Sequence, residues 1–424
     1  MQDIRLSSFC PNPDGKSDNT KEIQEALNEA GKKKARLIFE AGKTYRSGML
    51  IIPSDVELHF EKSSLLMMSD DMSLLDPKKA FAGSNLGVPS YLDCEYNGQP
   101  TLFFLYAKDG KNISITGEGA VDGNEKIFYG ETTGTFIDGA FYPRVPLLFF
   151  ENIENVRIED VTFQRSAFWT THLVGCRKVY IHRLKVKNNL LLANCDAIDP
   201  DHCQSVLIED CDIVCADDAI VFKTTEANQK YGPCQNIQVR NCRIQTTSAG
   251  IKFGTESWSD FAEIFIRDID VLRCNRGISF QLRDQGNIHR IHFKNIKINS
   301  QMFDPKIWWG KSEPIAVTAV PRTPTTKVGT ISDVVFENIE SSSENGIFFY
   351  GDPKGDSIHD ITFKNVHCHY ERKTDWPNHF RDLRPGEGWG VYEEKPAVMS
   401  LHHVRGIDTS GLSYQIDPRN PFED

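Results

Sequence analysis

Hydrophobic and polar residues alternate in short runs along most of the chain, a pattern typical of β-strands. One phrase recurs, with two apolar positions two places apart and an Asn or Asp at the bend; its copies include ENVRIEDVTF, QSVLIEDCDI, QNIQVRNCRI and HRIHFKNIKI. Cys176, Cys203, Cys234, Phe261 and Ile288 hold equivalent positions, with steps of 27, 31, 27 and 27 residues. Short strands at this period predict a parallel β-solenoid.

Two other repeat architectures fit the pattern less well. The phrase lacks the leucine ladder and helix formers of a leucine-rich repeat, and the chain lacks the two-residue hairpin turns of a propeller. We therefore predict an all-β fold, a single-stranded parallel β-helix. The polar residues that recur at its bends, such as Asn295, Asn338 and Asn365, can stack and hold the backbone there.

The first residues predict a helix that covers the open end of the solenoid. Its apolar positions have helical spacing at Ile23, Ala26, Leu27 and Ala30. Asp18 or Asn19 is expected to cap its start, and Gly31 suits its end. We assign residues 12–35 to this N-terminal cap.

We expect one domain over residues 1–424, with coils from about 36 to 370 and a C-terminal coil or cap over about 371–424. Three segments lack the repeat period of the coils and are expected to be loop insertions, near 70–101, 124–145 and 300–330. Near the end, VMSLHHVRGIDTSGLSYQ can supply a last partial coil. Long loops on such a scaffold often shape a binding groove.

The composition narrows the class of protein. Hydrophobic residues make up 39% of the 424 residues and charged residues 25%, which suits a soluble globular protein without a membrane span. A net charge of -11 argues against a nucleic-acid partner, and the sequence leaves the oligomeric state undetermined. Eleven cysteines without a CxxC pair suggest neither a disulfide framework nor zinc. No signal peptide is seen, so we expect a cytoplasmic protein if the chain is full-length and a secreted or periplasmic one if it is a mature form.

Acidic residues recur about one coil apart. The phrase Asp-Ala-Ile begins at Asp196 and again at Asp218, 22 residues later, and Asp217 precedes the second copy. Because neighbouring coils lie roughly 4.8 Å apart, we expect Asp196, Asp217 and Asp218 to lie on one face. Paired carboxylates suit glycoside hydrolysis, in which one protonates the leaving oxygen and another activates water. The alternative is that these aspartates only decorate turns.

At these residues the sequence resembles family 28 of the glycoside hydrolases, the polygalacturonases and rhamnogalacturonases. Their Asn-Thr-Asp followed by Asp-Asp is matched by Asn194-Cys195-Asp196 and then Asp217-Asp218, and DGKSDNTKEIQEAL looks like their N-terminal segment. The likeness spans about residues 12–370. It implies a right-handed β-helix and inverting hydrolysis without a metal or other cofactor. It assigns Asp218 as the general acid, and Asp196 and Asp217 as the residues that position and deprotonate water, without deciding which is the base.

The chain also departs from the polygalacturonase pattern. Ser248-Ala249-Gly250 replaces Gly-His-Gly, and Ser279-Phe280-Gln281 replaces Arg-Ile-Lys, which bind galacturonate in those enzymes. Rhamnogalacturonases also lack that histidine. We therefore expect a carbohydrate substrate that is α-linked and pectin-related, containing uronate or rhamnose, without committing to homogalacturonan. The long insertions favour exo-action on a poly- or oligosaccharide.

Polar and aromatic residues around the acids are candidates for substrate binding: Asn194, Asp199, Lys223, Lys252, Glu256, Arg276, Gln281, Trp308 and Trp309. The two lysines can hold a sugar carboxylate or can simply balance nearby aspartates. The two tryptophans can stack on a sugar ring or can pack a loop onto the coils.

Two further functions fit the same scaffold. A polysaccharide lyase or epimerase would use Lys223 or Lys252 as the base that removes the C5 proton, often with calcium on the uronate. A non-catalytic, tailspike-like protein would bind glycans without turnover. Formation of an unsaturated uronide would identify the first, and binding without turnover the second.

Overall fold

A computed structural model describes residues 2–10, 12–75, 103–137 and 145–419. These residues divide into two compact units, Met1–Asp212 and Ile213–Asp424. Most of the predicted loop near 70–101 and part of the one at 124–145 lie outside the described residues. Short 3-10 helices occur at Leu6–Ser8, Met72–Leu75, Glu125–Phe128 and Glu226–Tyr231.

The first unit is built from short strands and one helix. Its strands are β1 (Asp3–Arg5), β2 (Asp14–Asp18), β3 (Arg36–Phe39), β4 (Thr44–Ser47), β5 (Leu50–Ile51), β6 (Val56–Phe60), β7 (Leu65–Met68), β8 (Leu105–Gly117), β9 (Ala120–Asp122), β10 (Leu148–Glu159), β11 (Thr162–Gln164), β12 (Thr171–Val174), β13 (Arg177–His182), β14 (Lys185–Lys187), β15 (Ile198–Asp201) and β16 (Gln204–Glu209). The next strand, β17 (Asp212–Cys215), begins at the last residue of this unit.

Strands of the first unit pair in parallel with the equivalent strands of the next coil. One ladder runs through β1, β3, β6, β8, β10, β13 and β16, and another through β5, β8, β10, β12 and β15. A third runs through β2, β4, β7, β9, β11 and β14. Three parallel ladders of short strands are the arrangement of a β-helix, as the period predicts.

The second unit contains the remaining strands. They are β18 (Ile220–Thr224), β19 (Cys234–Thr246), β20 (Ala249–Ser257), β21 (Phe261–Cys274), β22 (Arg276–Leu282), β23 (Ile288–Ser300), β24 (Ile315–Ala319), β25 (Ile331–Ser343), β26 (Ile347–Tyr350), β27 (His359–Tyr370), β28 (Phe380–Asp382), β29 (Val391–Glu393), β30 (Met399–His402), β31 (Arg405–Asp408) and β32 (Leu412–Ile416). We call the parallel series β18, β20, β22, β24, β26 and β30 ladder A. A second series runs through β19, β21, β23, β25 and β27, onto which β31 and β32 pair.

The capping helix α1 spans Thr20–Lys33 and buries the four apolar residues that its spacing predicted. The predicted stop at Gly31 is wrong, because the helix continues to Lys33 and Lys34 adopts the left-handed C-cap conformation. Gly31 instead permits close packing, since a Cβ atom there would lie 2.8 Å from the Pro53 side chain. Asp18 accepts a hydrogen bond from the Thr20 amide at 3.1 Å, so it supports the helix start.

Repeated side chains stack inside and outside the coils of the second unit. The rings of Phe222, Phe253 and Phe280 pack in sequence, with centroids 4.8 and 4.6 Å apart. At the bends, Asn338 donates to Asn295 at 3.1 Å, and Asn365 donates to Asn338 at 2.9 Å. The asparagines have φ between 53° and 55°, a left-handed conformation that Asn tolerates better than most residues. The predicted asparagine stack is confirmed.

Two predicted boundaries need correction in the second unit. The insertion expected over 300–330 contains β24, which joins ladder A, so the loop is divided into two shorter ones. The proline-rich segment expected to be a loop or cap contains an antiparallel hairpin, β28 and β29. The last partial coil is confirmed, because β30 pairs with β26 and β32 with β27.

Candidate active site

Asp217 and Asp218 lie in the short loop between β17 and β18. The loop is anchored by Ile220 and Phe222, which point into the core and have no exposed surface. The Asp217 carboxylate accepts a hydrogen bond from the Asp218 amide at 3.0 Å, and its carbonyl oxygen accepts one from the Thr246 hydroxyl at 2.5 Å. Asp217 is half-buried, whereas Asp218 is only 1% exposed. The two neighbouring acids therefore have different surroundings.

The Asp218 carboxylate receives three hydrogen bonds from β20 and the residue before it. The Ser248 hydroxyl and the Ala249 amide donate to Oδ1 at 2.8 and 3.2 Å, and Lys252 Nζ donates to Oδ2 at 2.6 Å. Pairing of β18 with β20, with Val221 opposite Lys252, brings these donors to the acid from one coil further on. Charge-assisted bonds of this length are strong and favour the ionised carboxylate.

Two opposing effects set the pKa of Asp218: burial, and the nearby positive charges and hydrogen bonds. Burial by itself would raise the pKa of this carboxyl. Its effect is outweighed by the positive charges of Lys252 and Lys223 and by the hydrogen bonds from Lys252 and Ser248. The pKa of Asp218 therefore lies below its usual value, and the group is ionised near neutral pH. A general acid must hold a proton before the reaction. A base must instead be ionised, which is the form that these surroundings favour.

The two predicted cations are close to carboxylates of the protein itself. Lys223 Nζ lies 3.9 Å from Glu256 Oε2, and both side chains are buried. Lys252 also lies 6.0 Å from the centre of the Trp309 ring. Both lysines therefore lie beside carboxylates of the protein, and binding of a sugar carboxylate by either one stays a prediction.

The first unit holds the other predicted acids. Asp196 lies two residues before β15 and Asp199 lies within it, and both are buried. Half-buried Asn194 has a φ of 59°. The Asp196 carbonyl accepts a hydrogen bond from the Thr170 amide at 2.8 Å, which fixes the backbone there. In sequence, Asp196 lies two residues before β15, as Asp218 lies two residues before β18.

A buried histidine that sequence reasoning did not select lies opposite Asp199 in the same ladder. His172 pairs with Asp199 in register, and its Nε2 lies 3.2 Å from Asp201 Oδ2. Phe149 and Trp169 pack against the imidazole with ring centroids 5.0 and 4.9 Å away. The periodic pattern marked β12 as a strand but gave no sign that His172 bonds to an acid one coil on.

Arg276 and Gln281 are buried under a segment near the end of the chain, residues 374–393, which we call the C-terminal segment. Arg276 Nη2 donates to the Asp382 carbonyl at 2.9 Å, and Gln281 Nε2 donates to the Arg384 carbonyl at 2.9 Å. Arg283 adds bonds to the same segment, including one to the Pro385 carbonyl at 2.7 Å. In this structure, the two predicted substrate ligands hold the segment that contains β28 and β29 on ladder A.

Asp382 joins this segment to the loop before β24. Its Oδ2 accepts bonds from the Gly310 amide at 3.1 Å and from Arg384 at 2.7 Å, and Lys311 Nζ lies 3.4 Å away. Burial would raise the pKa of Asp382, but these cations and Arg276 hold it well below its usual range. Nothing in the sequence indicated this network, because Gly310 and Lys311 are about 70 residues from Asp382 and all three lie outside the repeat.

The two tryptophans have different environments. Trp308 is only 4% exposed, and its amide donates to the Asp304 carbonyl at 3.0 Å. Trp309 is half-buried, with Lys252 and Arg384 each 6.0 Å from its ring centre. Trp308 therefore packs the loop, whereas Trp309 lies between the C-terminal segment and the lysine that holds Asp218.

Within the first unit, one further group of side chains has the geometry of metal ligands. Ligand atoms of His182, Glu209 and Asp210 lie within 4.8 Å of one another. His182 Nε2 is 3.0 Å from Asp210 Oδ2, and Arg183 bonds Glu159 at 3.0 Å beside it. A hydrogen-bonded ion cluster at the surface accounts for this group. In the described part of the chain, no helix is long and apolar enough to cross a membrane.

Comparison with known sequences places these residues in a family. Residues 80–381 match the model of glycosyl hydrolases family 28. A probable polygalacturonase from Vitis vinifera is 28% identical over 280 residues, which cover 62% of this chain and 54% of the relative. The chain thus spans about half the length of that curated relative. The matched region includes β18, β20, β22 and both acids of the loop.

Solved structures share the fold. A hyperthermoactive exopolygalacturonase from Thermotoga maritima superposes with a TM-score of 0.71 at 18% identity, covering 96% of this chain and 92% of that chain. A family 28 exopolygalacturonase from Yersinia enterocolitica gives 0.70 at 16% identity, with 98% and 78% covered. These likenesses confirm the predicted right-handed parallel β-helix. Since the family model matches most of the chain, this protein belongs to family 28 of the glycosyl hydrolases.

Proposed function

We propose that the protein is an inverting glycoside hydrolase that cleaves an α-linked, pectin-related glycan containing uronate or rhamnose. The observation that carries the proposal is the contrast between two adjacent acids. Asp218 is buried yet held ionised by three donors, and Asp217 beside it is half-buried. Inverting hydrolysis needs one carboxylate as base and one carboxylic acid as proton donor.

We assign the roles from these surroundings. Asp218 is the base, because a carboxylate that is ionised near neutral pH can accept a proton from water. Asp217 is the general acid, which exchanges the two roles that the resemblance implied for these residues. Asp196 stays a predicted catalytic residue, because it precedes β15 in the sequence as Asp218 precedes β18.

The reaction then proceeds as a single displacement. Asp218 takes a proton from water while the water oxygen forms a bond to the anomeric carbon from the face opposite the leaving group. The glycosidic bond breaks, and its electron pair stays on the leaving oxygen, which receives the Asp217 proton. The sugar product has the inverted configuration, and solvent exchange returns both carboxyl groups to their starting states.

The substrate class rests on the family and on the departures from it. Relatives named polygalacturonase and exopolygalacturonase favour a pectin-related substrate. Ser279-Phe280-Gln281 replaces a family motif that binds galacturonate, and Gln281 here bonds to the C-terminal segment. The replaced motif argues for a glycan other than plain homogalacturonan. Assays of this protein should therefore include a rhamnose-containing substrate.

Exo-action is proposed from the position of the C-terminal segment. Its residues Asp382 and Arg384 bond to side chains of β22, the strand two coils beyond the Asp218 loop along ladder A, and Pro385 bonds to Arg283 directly after that strand. Two coil spacings are about 10 Å. A glycan that runs along ladder A in this direction would meet the segment, which favours cleavage near a chain end.

The lyase alternative is less favoured by the same geometry. A lyase base must be an uncharged amine, whereas Lys252 donates a 2.6 Å hydrogen bond to the Asp218 carboxylate. Lys223 lies beside a second carboxylate, that of Glu256. Nearby negative charge stabilises the ammonium form and weakens a lysine as a base.

A panel of pectic oligosaccharides tests the proposal. Purified protein is incubated with homogalacturonan, rhamnogalacturonan and xylogalacturonan oligomers, and products are separated by chromatography. We expect hydrolysis of at least one, with one small product accumulating from the first time points, and a loss of about 10²–10⁴-fold in rate for Asp217→Asn and for Asp218→Asn.

Asp333→Asn is the matched control, because Asp333 is an exposed acid outside the site and its substitution should leave the rate unchanged. Products that absorb near 230 nm would contradict hydrolysis, and a full rate in Asp218→Asn would remove this acid from the mechanism. A broad ladder of intermediate products at early times would contradict exo-action.

A further inference from the structure

We infer that Lys252 is a positioning residue that keeps the Asp218 base ionised at acidic pH. The inference rests on the proposed function, in which Asp218 deprotonates water. Lys252 does not itself touch the reacting atoms in the proposed mechanism. The geometry that carries it is a hydrogen bond of 2.6 Å between Lys252 Nζ and Asp218 Oδ2, with both side chains buried.

The hydrogen bond from Lys252 fixes one oxygen of the Asp218 carboxylate, and other donors bind the second oxygen. Lys252 holds Oδ2, while the Ser248 hydroxyl and the Ala249 amide hold Oδ1. All three donors belong to the same coil, and parallel pairing with β18 sets their register. The carboxylate plane is therefore held from one side by a single rigid strand and the residue that precedes it.

Other charged groups cannot replace Lys252. Within the second unit, Lys252 and Lys223 are the charged groups that lower the pKa of Asp218, and Asp217 is its neighbour in sequence. Lys223 lies 3.9 Å from Glu256, which offsets part of its effect. Removing Lys252 would leave a buried carboxylate with one shared cation, so burial and like charges would favour its protonated form.

The sequence around the contact departs from the polygalacturonase pattern at the same place. Where those enzymes have Gly-His-Gly, this chain has Ser248-Ala249-Gly250, so a hydroxyl donor is present and an imidazole is absent. Lys252 follows two residues later on β20. We infer that this serine and lysine together supply the fixed positive surroundings that the base needs in this chain.

The pH dependence of kcat/KM on the oligosaccharide that is cleaved tests the inference. In the free enzyme, the acid limb of this profile reports the essential base. We expect the acid limb of the Lys252→Met profile to shift to higher pH by about 1–3 units, because an opposite charge near the carboxylate is lost. Lys252→Arg, which keeps a cation, should recover part of the shift, and Ser248→Ala should move the limb in the same direction by less.

Lys294→Met is the matched control, because Lys294 is a half-buried lysine of β23 that pairs with Glu337 at 2.7 Å. Its acid limb should coincide with that of the wild type. An unshifted limb in Lys252→Met would overturn the inference while leaving the hydrolase proposal intact. Absence of hydrolysis in the wild type would instead contradict the proposed function.

Unfolding gives a second readout that does not need activity. The lowered pKa of Asp218 adds stability above its unfolded pKa, and that stability is lost as pH falls through the folded value. The difference in denaturation midpoint between wild type and Lys252→Met should therefore be largest near pH 7 and narrow towards pH 3. An equal difference at all these pH values would show that Lys252 contributes packing alone, which also overturns the inference.

Discussion

At the residue scale, two acids that are adjacent in sequence are predicted to do opposite chemistry. The sequence placed Asp217 and Asp218 in a candidate site because the Asp-Ala-Ile phrase recurs one coil apart. It did not determine which acid is ionised. That depends on Ser248, Ala249 and Lys252, whose donors reach Asp218 across a separation of 30 to 34 residues. Proton affinities are set by such contacts and not by order along the chain.

The two tryptophans should respond differently to truncation. Trp308→Ala should lower the free energy of unfolding by about 3–5 kcal/mol, because a buried aromatic ring is lost and a cavity remains. Trp309→Ala should change unfolding much less and raise KM for the cleaved oligosaccharide, because its half-buried ring lies beside Lys252. Chemical denaturation and initial rates measure the two effects.

Each tryptophan variant is the control for the other. If Trp309→Ala leaves KM unchanged and destabilises the protein as much as Trp308→Ala, the ring serves to pack the loop, and stacking on a sugar is contradicted.

At the element scale, the strands were predictable because each coil repeats the same local conditions. Apolar residues two places apart must point inward, and an asparagine at the bend can adopt positive φ and bond to the next asparagine, as Asn338 does with Asn295. The end of α1 was not predictable in this way. Gly31 marks a close approach to Pro53 and not a helix stop, and that contact depends on tertiary packing.

The C-terminal segment lies beyond what a periodic pattern can predict. Its hairpin of β28 and β29 interrupts the coils, and its bonds to Arg276 and Gln281 span more than 100 residues. Polar side chains on ladder A could bind either a sugar or another part of the chain. Their burial beneath Asp382 and Arg384 could be learned only from the three-dimensional structure.

Removing the Asp382 charge should loosen this segment. Asp382→Asn should lower the free energy of unfolding at pH 7 by about 3–5 kcal/mol, because Lys311 and Arg384 would lose a buried counter-charge. Since the pKa of Asp382 lies below its usual range, this stabilisation is present above the unfolded pKa and is lost as pH falls through the folded value. Denaturation at several pH values measures the difference.

The exposed acid Asp375 in the same segment supplies the comparison. Asp375→Asn should change stability by no more than about 0.5 kcal/mol. Equal stability of Asp382→Asn and the wild type would show that the buried ion network does not hold the segment in place.

At the scale of the whole molecule, family and fold are shared with enzymes of low sequence identity. A TM-score of 0.71 accompanies only 18% identity with the Thermotoga maritima structure, because many sequences satisfy the same inward and outward alternation. The scaffold therefore does not specify the glycan. Substrate choice is expected to reside in the residues that depart from the family pattern, Ser248, Lys252 and Gln281, and in the segment that covers β22.

We propose that paired carboxylates of this protein hydrolyse a glycosidic bond with inversion at the anomeric carbon. Proton NMR of a reaction on an α-linked oligosaccharide, recorded before mutarotation is complete, measures this directly. We expect the β-anomer of the released sugar to appear first and then to equilibrate with the α-anomer. First appearance of the α-anomer, or of an unsaturated sugar, would contradict it.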